Sequence, residues 1–362
     1  MNKLKTIQLI LLILLVAGGN LKTTGQTNDK FIRVGDTTIN LNDVDLEKGL
    51  VVKRLQYVRN CGEERVKQNY FVQIKLFTSP NRDNYALVLD TVSWLGESWN
   101  RDIETDFQYY NKHGKLLFEK KFTGFSLYLC YISANNKVVA FSRTNEDYEG
   151  YDFYKSDGTL IKEYSTSEKL YVGPLHRNFF ICNVMYNCNG ANTFDHIDES
   201  GNIEEVVFPK GFFRGIKFSP RENYYIISLD NQQLFYDINN VFIWKQPKNK
   251  GFIYFLKDEK SYLLSEPSTN FIKIKDLFTH QLKYKVDSVI YKGNKMPIYR
   301  SFLLNGDFYV IGKKDSIYIY NFYNERGELL QTETVPVLRK VKPYKVLKKD
   351  GKFIIKPRIN DL

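Results

Sequence analysis

Methionine and tryptophan occur only three times each among 362 residues, histidine and cysteine four times each, and proline ten times. Each scarcity removes a class. So few cysteines exclude a disulfide-dense scaffold, and none stands in a CxxC pair that would hold a metal or run redox chemistry. The histidines show no i, i+4 or other short metal-ligand spacing. With 10 Pro and 22 Gly, collagen-like and low-complexity chains are ruled out. No GxSxG, HExxH, P-loop or EF-hand loop is present, so no motif announces hydrolase, metalloprotease, nucleotide or calcium chemistry. Beyond residues 7–17, no apolar run comes near the roughly 20 residues of a spanning helix, and no stretch keeps a 3.6-residue apolar period. Rings are abundant instead: 26 Tyr and 26 Phe bring aromatics to 15%, within 43% hydrophobic residues. Ring-bearing and β-branched side chains favour pleated, half-buried surfaces, so the expected fold class is all-β with a sizeable core.

The N-terminus reads as a targeting segment. Lys3 and Lys5 precede the apolar residues 7–17, and the small residues Ala17, Gly18 and Gly19 follow. A basic head, a short apolar stretch and small residues at its end make a signal peptide of residues 1–19. The polar residues 20–30 are then a flexible lead into the fold. No cysteine lies near the cleavage position, which argues against a lipid anchor. The expected mature chain is a periplasmic or extracellular monomer with no integral membrane segment. Its formal charge of +11 falls to +9 once Lys3 and Lys5 leave. Such an excess favours anionic partners. The basic residues read as scattered along strands, except for Arg339, Lys340, Lys342, Lys345, Lys348, Lys349 and Lys352, expected as a solvated edge. Cys61, Cys130, Cys182 and Cys188 allow three pairings and no bridge is assigned. Cys130 and Cys182 sit in apolar runs, where a buried thiol is the expectation.

One local pattern recurs: an aromatic run, a polar pair closed by Gly or Asn, then a second apolar run. Its turns lie at Lys112-His113-Gly114, Ser156-Asp157-Gly158, Glu199-Ser200-Gly201 and Glu325-Arg326-Gly327, with degenerate copies at Asn239-Asn240 and near Thr279. Gly supplies the positive φ that closes a short hairpin loop, and Asn240 takes the same left-handed role. Spacings of 39 to 48 residues between these turns suit four short strands each. A second family of turns runs about 20 residues upstream of the first, at Asn135-Asn136, His176-Arg177, Arg221–Asn223, Asp258-Glu259 and Asn305-Gly306. Both families together predict blades at about 69–122, 126–166, 169–208, 211–247, 251–286 and 297–336. Residues 344–347 and 353–355 look like inner strands of one more blade. Residues 31–34, 37–41 and 50–58 would supply its outer strands and seal the two chain ends together. Seven four-stranded blades are favoured over six.

This pattern resembles secreted β-propeller repeat proteins of the six- to seven-bladed kind, with WD40-like and TolB-like architecture, over about residues 31 to 359. A single β-propeller domain of residues 31–362 is what the resemblance implies. It lies in turn spacing alone: the Gly-His and Trp-Asp dipeptides of WD40 blades are absent, and no catalytic residue or cofactor is carried over.

Candidate chemistry is sparse. His113, His176 and His280 fall in turns and are expected to be solvated; His196 is expected on an exposed strand face. Asn145, Glu146, Asp147 and Glu149 form an acidic loop without the Gly and spacing of a dedicated calcium site. Function in propellers lives on loops that join second to third strands and one blade to the next. Those loops here offer Trp94, Trp99, Tyr148, Phe212, Phe213, Arg214, Tyr299 and Arg300, residue types that dominate interface hot spots. The competing reading is that Phe212 and Phe213 pack between blades and that Trp94 and Trp99 form a small core of their own. The expected role is a non-catalytic binding or scaffold module for a protein or glycan, anionic in character, with no cofactor and no nucleic acid. The alternative is a propeller hydrolase or lyase with its site at the channel mouth.

Overall fold

The computed structural model describes residues 31–34, 37–61, 66–95, 101–144, 149–165, 168–183, 192–247, 251–265, 271–304, 307–337, 344–349 and 351–356. Apart from one 3-10 turn at Leu41–Asp43, their regular structure is β-strand, and they fall into two compact units that meet in sequence at Phe208 and Pro209.

The first unit opens with a hairpin, β1 (Phe31–Val34) and β2 (Thr37–Asn40). A five-stranded antiparallel meander follows: β3 (Leu50–Cys61), β4 (Val66–Thr78), β5 (Tyr85–Leu95), β6 (Arg101–Tyr110) and β7 (Leu116–Thr123). Two four-stranded meanders complete it. They are β8 (Ser126–Ile132), β9 (Val138–Thr144), β10 (Glu149–Lys155) and β11 (Leu160–Tyr164), then β12 (Glu168–Val172), β13 (Asn178–Asn183), β14 (Asn192–Asp198) and β15 (Ile203–Phe208). The second unit begins with β16 (Phe213–Phe218), β17 (Tyr224–Leu229), β18 (Gln232–Asp237) and β19 (Phe242–Pro247). Next come β20 (Phe252–Phe255), β21 (Ser261–Ser265), β22 (Ile272–Asp276) and β23 (Leu282–Val286), and a short hairpin of β24 (Val289–Tyr291) and β25 (Asn294–Met296). The last full sheet is β26 (Arg300–Leu304), β27 (Asp307–Lys314), β28 (Ile317–Tyr323) and β29 (Leu329–Pro336), followed by the two-stranded β30 (Lys345–Lys349) and β31 (Lys352–Lys356).

Middle strands of these sheets are buried on both faces, which is why they read as unbroken apolar runs rather than alternation. In β9, Val139 and Phe141 face the first sheet, where Phe107 and Phe118 lie, while Val138 and Ala140 face Phe179 and Ile197 of the third. The Phe107 and Phe141 rings meet at 5.0 Å. Each such fully buried ring contributes roughly 2 kcal/mol by transfer, so the core is a series of aromatic layers between adjacent sheets.

Both turn families are present. In the outer family Gly114, Gly158, Gly201, Asn240, His280 and Gly327 all take positive φ, from 57° to 85°. Asn111, Asp198, Asp237, Asp276 and Asn324 open their turns by accepting backbone N–H groups two to four residues on. Glycine is needed for space as well as φ at two of these positions. A Cβ on Gly158 would stand 2.9 Å from Phe118 Cβ, and one on Gly327 would enter the Tyr284 ring. In the inner family the left-handed residue is not glycine: Arg82, Asn136, His176, Glu222 and Glu259. That conformation costs about 1 kcal/mol each, and three of these side chains bond backward along the chain order. Arg82 donates to Val44 O, His176 Nδ1 lies 3.1 Å from Ile132 O, and Glu259 accepts from Arg221 N and Asn223 Nδ2. These turns therefore latch neighbouring elements together.

Five expectations are corrected. Residues 50–58 were expected as outer strands of a closing blade; they belong to β3, which pairs with β4 and makes the first sheet five-stranded. Among the described residues, β1 pairs with β2 and β30 with β31, and no sheet joins the two ends. His176, expected in solvent, is 3% exposed because its left-handed backbone turns the ring toward Tyr131 and Ile132. His196 is likewise buried, bonded to Asn178 Oδ1 at 2.8 Å and edge-on to Phe180. The stretch leading to Tyr299 and Arg300, both expected on a loop, folds β24 and β25, Arg300 begins β26, and Val289 is buried against the sixth sheet.

Candidate functional site

Two sheets of the second unit open on β16 and β26, and exposed residues stand where these first strands begin. Phe213 pairs with Leu229 and Gly215 with Ser228, so Arg214 is the extra residue of a β-bulge. A bulge re-aims its side chain. The Arg214 guanidinium lies 4.5 Å from the centre of the Phe212 ring, and both residues are exposed, Phe212 by 55%. Asp230 holds the Phe212 backbone: its N–H donates to Phe212 O at 2.9 Å and its carboxylate accepts from Phe212 N–H. Phe213 is half-buried.

A second pair stands where β26 begins. Tyr299 N–H donates to Ile311 O at 2.7 Å, and its exposed ring runs nearly parallel to Tyr318. The Arg300 guanidinium lies 5.2 Å from that ring. A guanidinium over an exposed aromatic face is held by the ring quadrupole while leaving N–H donors for carboxylate, sulfate or phosphate oxygens.

Of the other predicted site residues, Trp94 is half-buried on β5 in the first unit, opposite Asn69 and Arg101. Trp99 and Tyr148 lie outside the described residues, as do Asn145, Glu146 and Asp147. The structure thus brings Phe212 to Arg214 and Tyr299 to Arg300, each as a local pair. Among the described residues no three His, Cys, Asp or Glu side chains converge as a metal site. The thiols of Cys130 and Cys182 are buried, and burial pushes their pKa values up.

Sequence reasoning missed a third cluster. Phe271 precedes β22, and Lys273 and Lys285 both lie over its ring, at 5.0 and 4.4 Å. The two lysines are directly opposed across β22 and β23. Lys217 lies 4.1 Å from the Tyr254 ring, and burial holds its ammonium below the usual lysine range. A wider signal was countable from the chain. Residues 209–362 carry 28 Lys and Arg against 15 Asp and Glu, whereas residues 1–208 carry 24 against 26. The excess positive charge belongs to the second unit.

Buried charge in the first unit serves packing. Asp90 is buried between sheets one and two, accepting from Thr105 Oγ1 at 2.7 Å, with Lys75 Nζ at 3.5 Å. Asp152 pairs with Arg143 at 2.7 Å, and burial pushes its carboxyl from 3.8 up to about 6 despite that cation.

No protein family matches the chain, and no curated protein matches it. Solved structures of low similarity do. A eukaryotic initiation factor structure is 9% identical with a TM-score of 0.45, covering 90% of this chain and 96% of that one. The Dos1 propeller is 10% identical with a TM-score of 0.35, over 70% of this chain and 79% of that one. Hsv2p of Kluyveromyces lactis is 7% identical with a TM-score of 0.36, over 72% and 98%.

Proposed function

We propose that this chain is an exported, non-catalytic β-propeller that holds a protein or glycan ligand of anionic character on the loop ends of its sheets. The observation that carries the reading is the pair of exposed rings capped by arginine, Phe212 under Arg214 and Tyr299 under Arg300. Rings and guanidinium groups bury large area at modest entropic cost, and an arginine already ordered by its ring gives up less on binding. The propeller itself is supported by repeated meanders of blade size with two turn families in fixed phase. We propose seven blades in all, the number the turn spacing favours. Export rests on the basic and apolar pattern of residues 1–19.

The test is a binding screen of the exported form against arrayed acidic and neutral oligosaccharides and peptides, comparing the unaltered chain with Arg214→Ala/Arg300→Ala. A ligand whose affinity falls by about ten-fold or more in the variant, at unchanged melting temperature, supports the reading. A ligand bound equally well by both, or turnover of an arrayed compound, defeats it.

A further inference from the structure

β30 and β31 form a sheet of two strands, while the three larger sheets of the same unit have four each. One edge of β31 is therefore unpaired with any strand among the described residues. Phe353 shows which backbone groups face it. Its N–H donates to Gln331 Oε1 at 3.0 Å, and its carbonyl accepts from Gln331 Nε2 at 2.9 Å. A single side-chain amide, which also donates to Glu333 Oε1, thus stands where the peptide groups of a neighbouring strand would stand. Backbone groups alternate in direction along a strand, so those of Ile355 face the same edge, and they meet no partner among the described residues. The hairpin's two faces differ in charge as well. Val346 and Phe353 pack against β27 and β28, and on that side Lys348 pairs with Asp307. On the opposite face Lys345 opposes Lys356, Leu347 opposes Ile354 and Lys349 opposes Lys352. All four of these lysines are exposed, and none meets a carboxylate at ion-pair distance among the described residues. Like charges directly opposed destabilise a sheet, so folding alone does not favour this face.

We infer that the open edge of β31 docks an extended acidic segment of a partner protein, which adds a strand beside Lys352–Lys356 and displaces the Gln331 amide. Strand addition takes its affinity from main-chain hydrogen bonds and its specificity from alternate side chains. Here the bonds would come from Phe353 and Ile355, and the alternation fixes a pattern of five residues. Acids stand opposite Lys352 and Lys356, and apolar residues stand opposite Phe353, Ile354 and Ile355. A second copy of this chain fits poorly, because antiparallel pairing of two β31 strands about Ile354 would set Lys352 against Lys356. A polyanion without a peptide backbone would leave the outward groups of Phe353 and Ile355 unused. The surface includes none of the residues assigned above to the loop ends, so each reading can fail without the other.

The experiment follows a labelled peptide by fluorescence anisotropy as the exported form is added. Its centre is glutamate, valine, isoleucine, valine and glutamate in that order, between short glycine-serine flanks. This peptide is expected to bind. Replacing both valines by proline, which removes the ladder donors, or both glutamates by lysine should weaken binding by about ten-fold or more. Lys352→Glu/Lys356→Glu should reverse the preference, so that the lysine peptide binds and the glutamate peptide does not. That variant also sets each new carboxylate opposite a lysine of β30, which favours the hairpin. Gln331→Ala removes the amide that holds Phe353 and should tighten binding about three-fold or more; no gain would show that the peptide sits elsewhere. Equal binding of the proline peptide would reduce the contact to charge and overturn the inference. So would tighter binding of duplex DNA or dextran sulfate that is lost with the same two lysines. Self-association of the chain that the glutamate peptide dissolves would assign the edge to a second copy instead.

Discussion

The two units are built from the same sheet and differ in what they do with positive charge. In the first, Lys75, Arg143 and Lys162 lie over aromatic rings, and each also meets a carboxylate, Asp90, Asp152 and Asp195. In the second, Arg214, Arg300 and Lys285 lie over rings at the surface of a unit where acids are outnumbered 28 to 15. A cation that neutralises a buried carboxylate is committed to the fold. One laid on an exposed ring is ordered yet still has donors for a ligand. On the proposed reading the same residue types carry stability in the first unit and recognition at these three positions of the second, where Lys348, over Phe353 and paired with Asp307, is also committed to the fold.

That contrast is most sharply tested by removing one cation from each side. Arg143→Met leaves Asp152 buried without its partner, a change that costs about 3 kcal/mol or more. Lys285→Met removes an exposed side chain and should cost less than about 0.5 kcal/mol. Urea denaturation of the two variants reads the difference, and similar losses would erase the distinction between the units. Asp152 adds a pH signature. Because burial raises its carboxyl from 3.8 to about 6, the folded chain holds that proton more tightly than the unfolded one. Its contribution to stability is therefore full below about pH 4 and is lost as pH rises through about 6. Asp152→Asn should remove that decline, seen as the difference between the two chains' urea midpoints from pH 4 to 7.

The next effect tests what the units share. Gly327→Ala must place a methyl group in the Tyr284 ring as well as hold φ at 79°, and Gly158→Ala must do the same against Phe118. Each is expected to cost about 2 kcal/mol or more, the left-handed backbone contributing about half. Gly351→Ala, with φ 76° and nothing within 4 Å, should show the backbone cost alone. If all three lose equally, adjacent sheets are not packed through these turns.

The architecture was legible because its signals are local. A polar pair followed by Gly or Asn forces a reversal wherever it stands, so six outer turns and the limits of the five full sheets after the first could be placed to within a few residues. The partner of β3 could not, because a free sheet edge accepts a strand from a near or a distant segment alike, and β3 pairs with its neighbour β4 rather than with the far end of the chain. Burial of His176 and His196 was equally hidden, since it depends on Ile132 of another sheet in one case and on Asn178 and Phe180 of the adjacent strand in the other. At the site, Phe212 and Arg214 were visible as residue types, but their pairing follows from a bulge that periodicity does not reveal. Lys273 and Lys285 were overlooked for the opposite reason: each sits in ordinary strand alternation, and their opposition exists once β22 and β23 are in register.

The smallest effect lies where the two units differ by single turn residues. The outer turns of the first unit all use glycine, at 114, 158 and 201, while the second uses Asn240, His280 and Gly327. In the two sheets without glycine the reason stands on β17 and β21. Tyr225 donates its hydroxyl to Asn240 Oδ1 at 2.9 Å, and the Tyr262 hydroxyl lies 3.3 Å from His280 Nδ1. The matching residues of the sheets that use glycine are Tyr85, Val139, Phe179 and Phe308; the last three have no hydroxyl, and the Tyr85 ring stacks on Tyr110 at 5.1 Å. Asn and His are therefore not worn copies of glycine; they accept mild left-handed strain in order to bond a buried tyrosine. Asn240→Gly relieves that strain but weakens the bonding of Tyr225, and the two terms should leave a net loss of under about 1 kcal/mol. Asn240→Gly/Tyr225→Phe should recover much of it, giving a coupling of about 1 kcal/mol in a double-mutant cycle. Additive losses would mean that the turn residue and the tyrosine were selected independently.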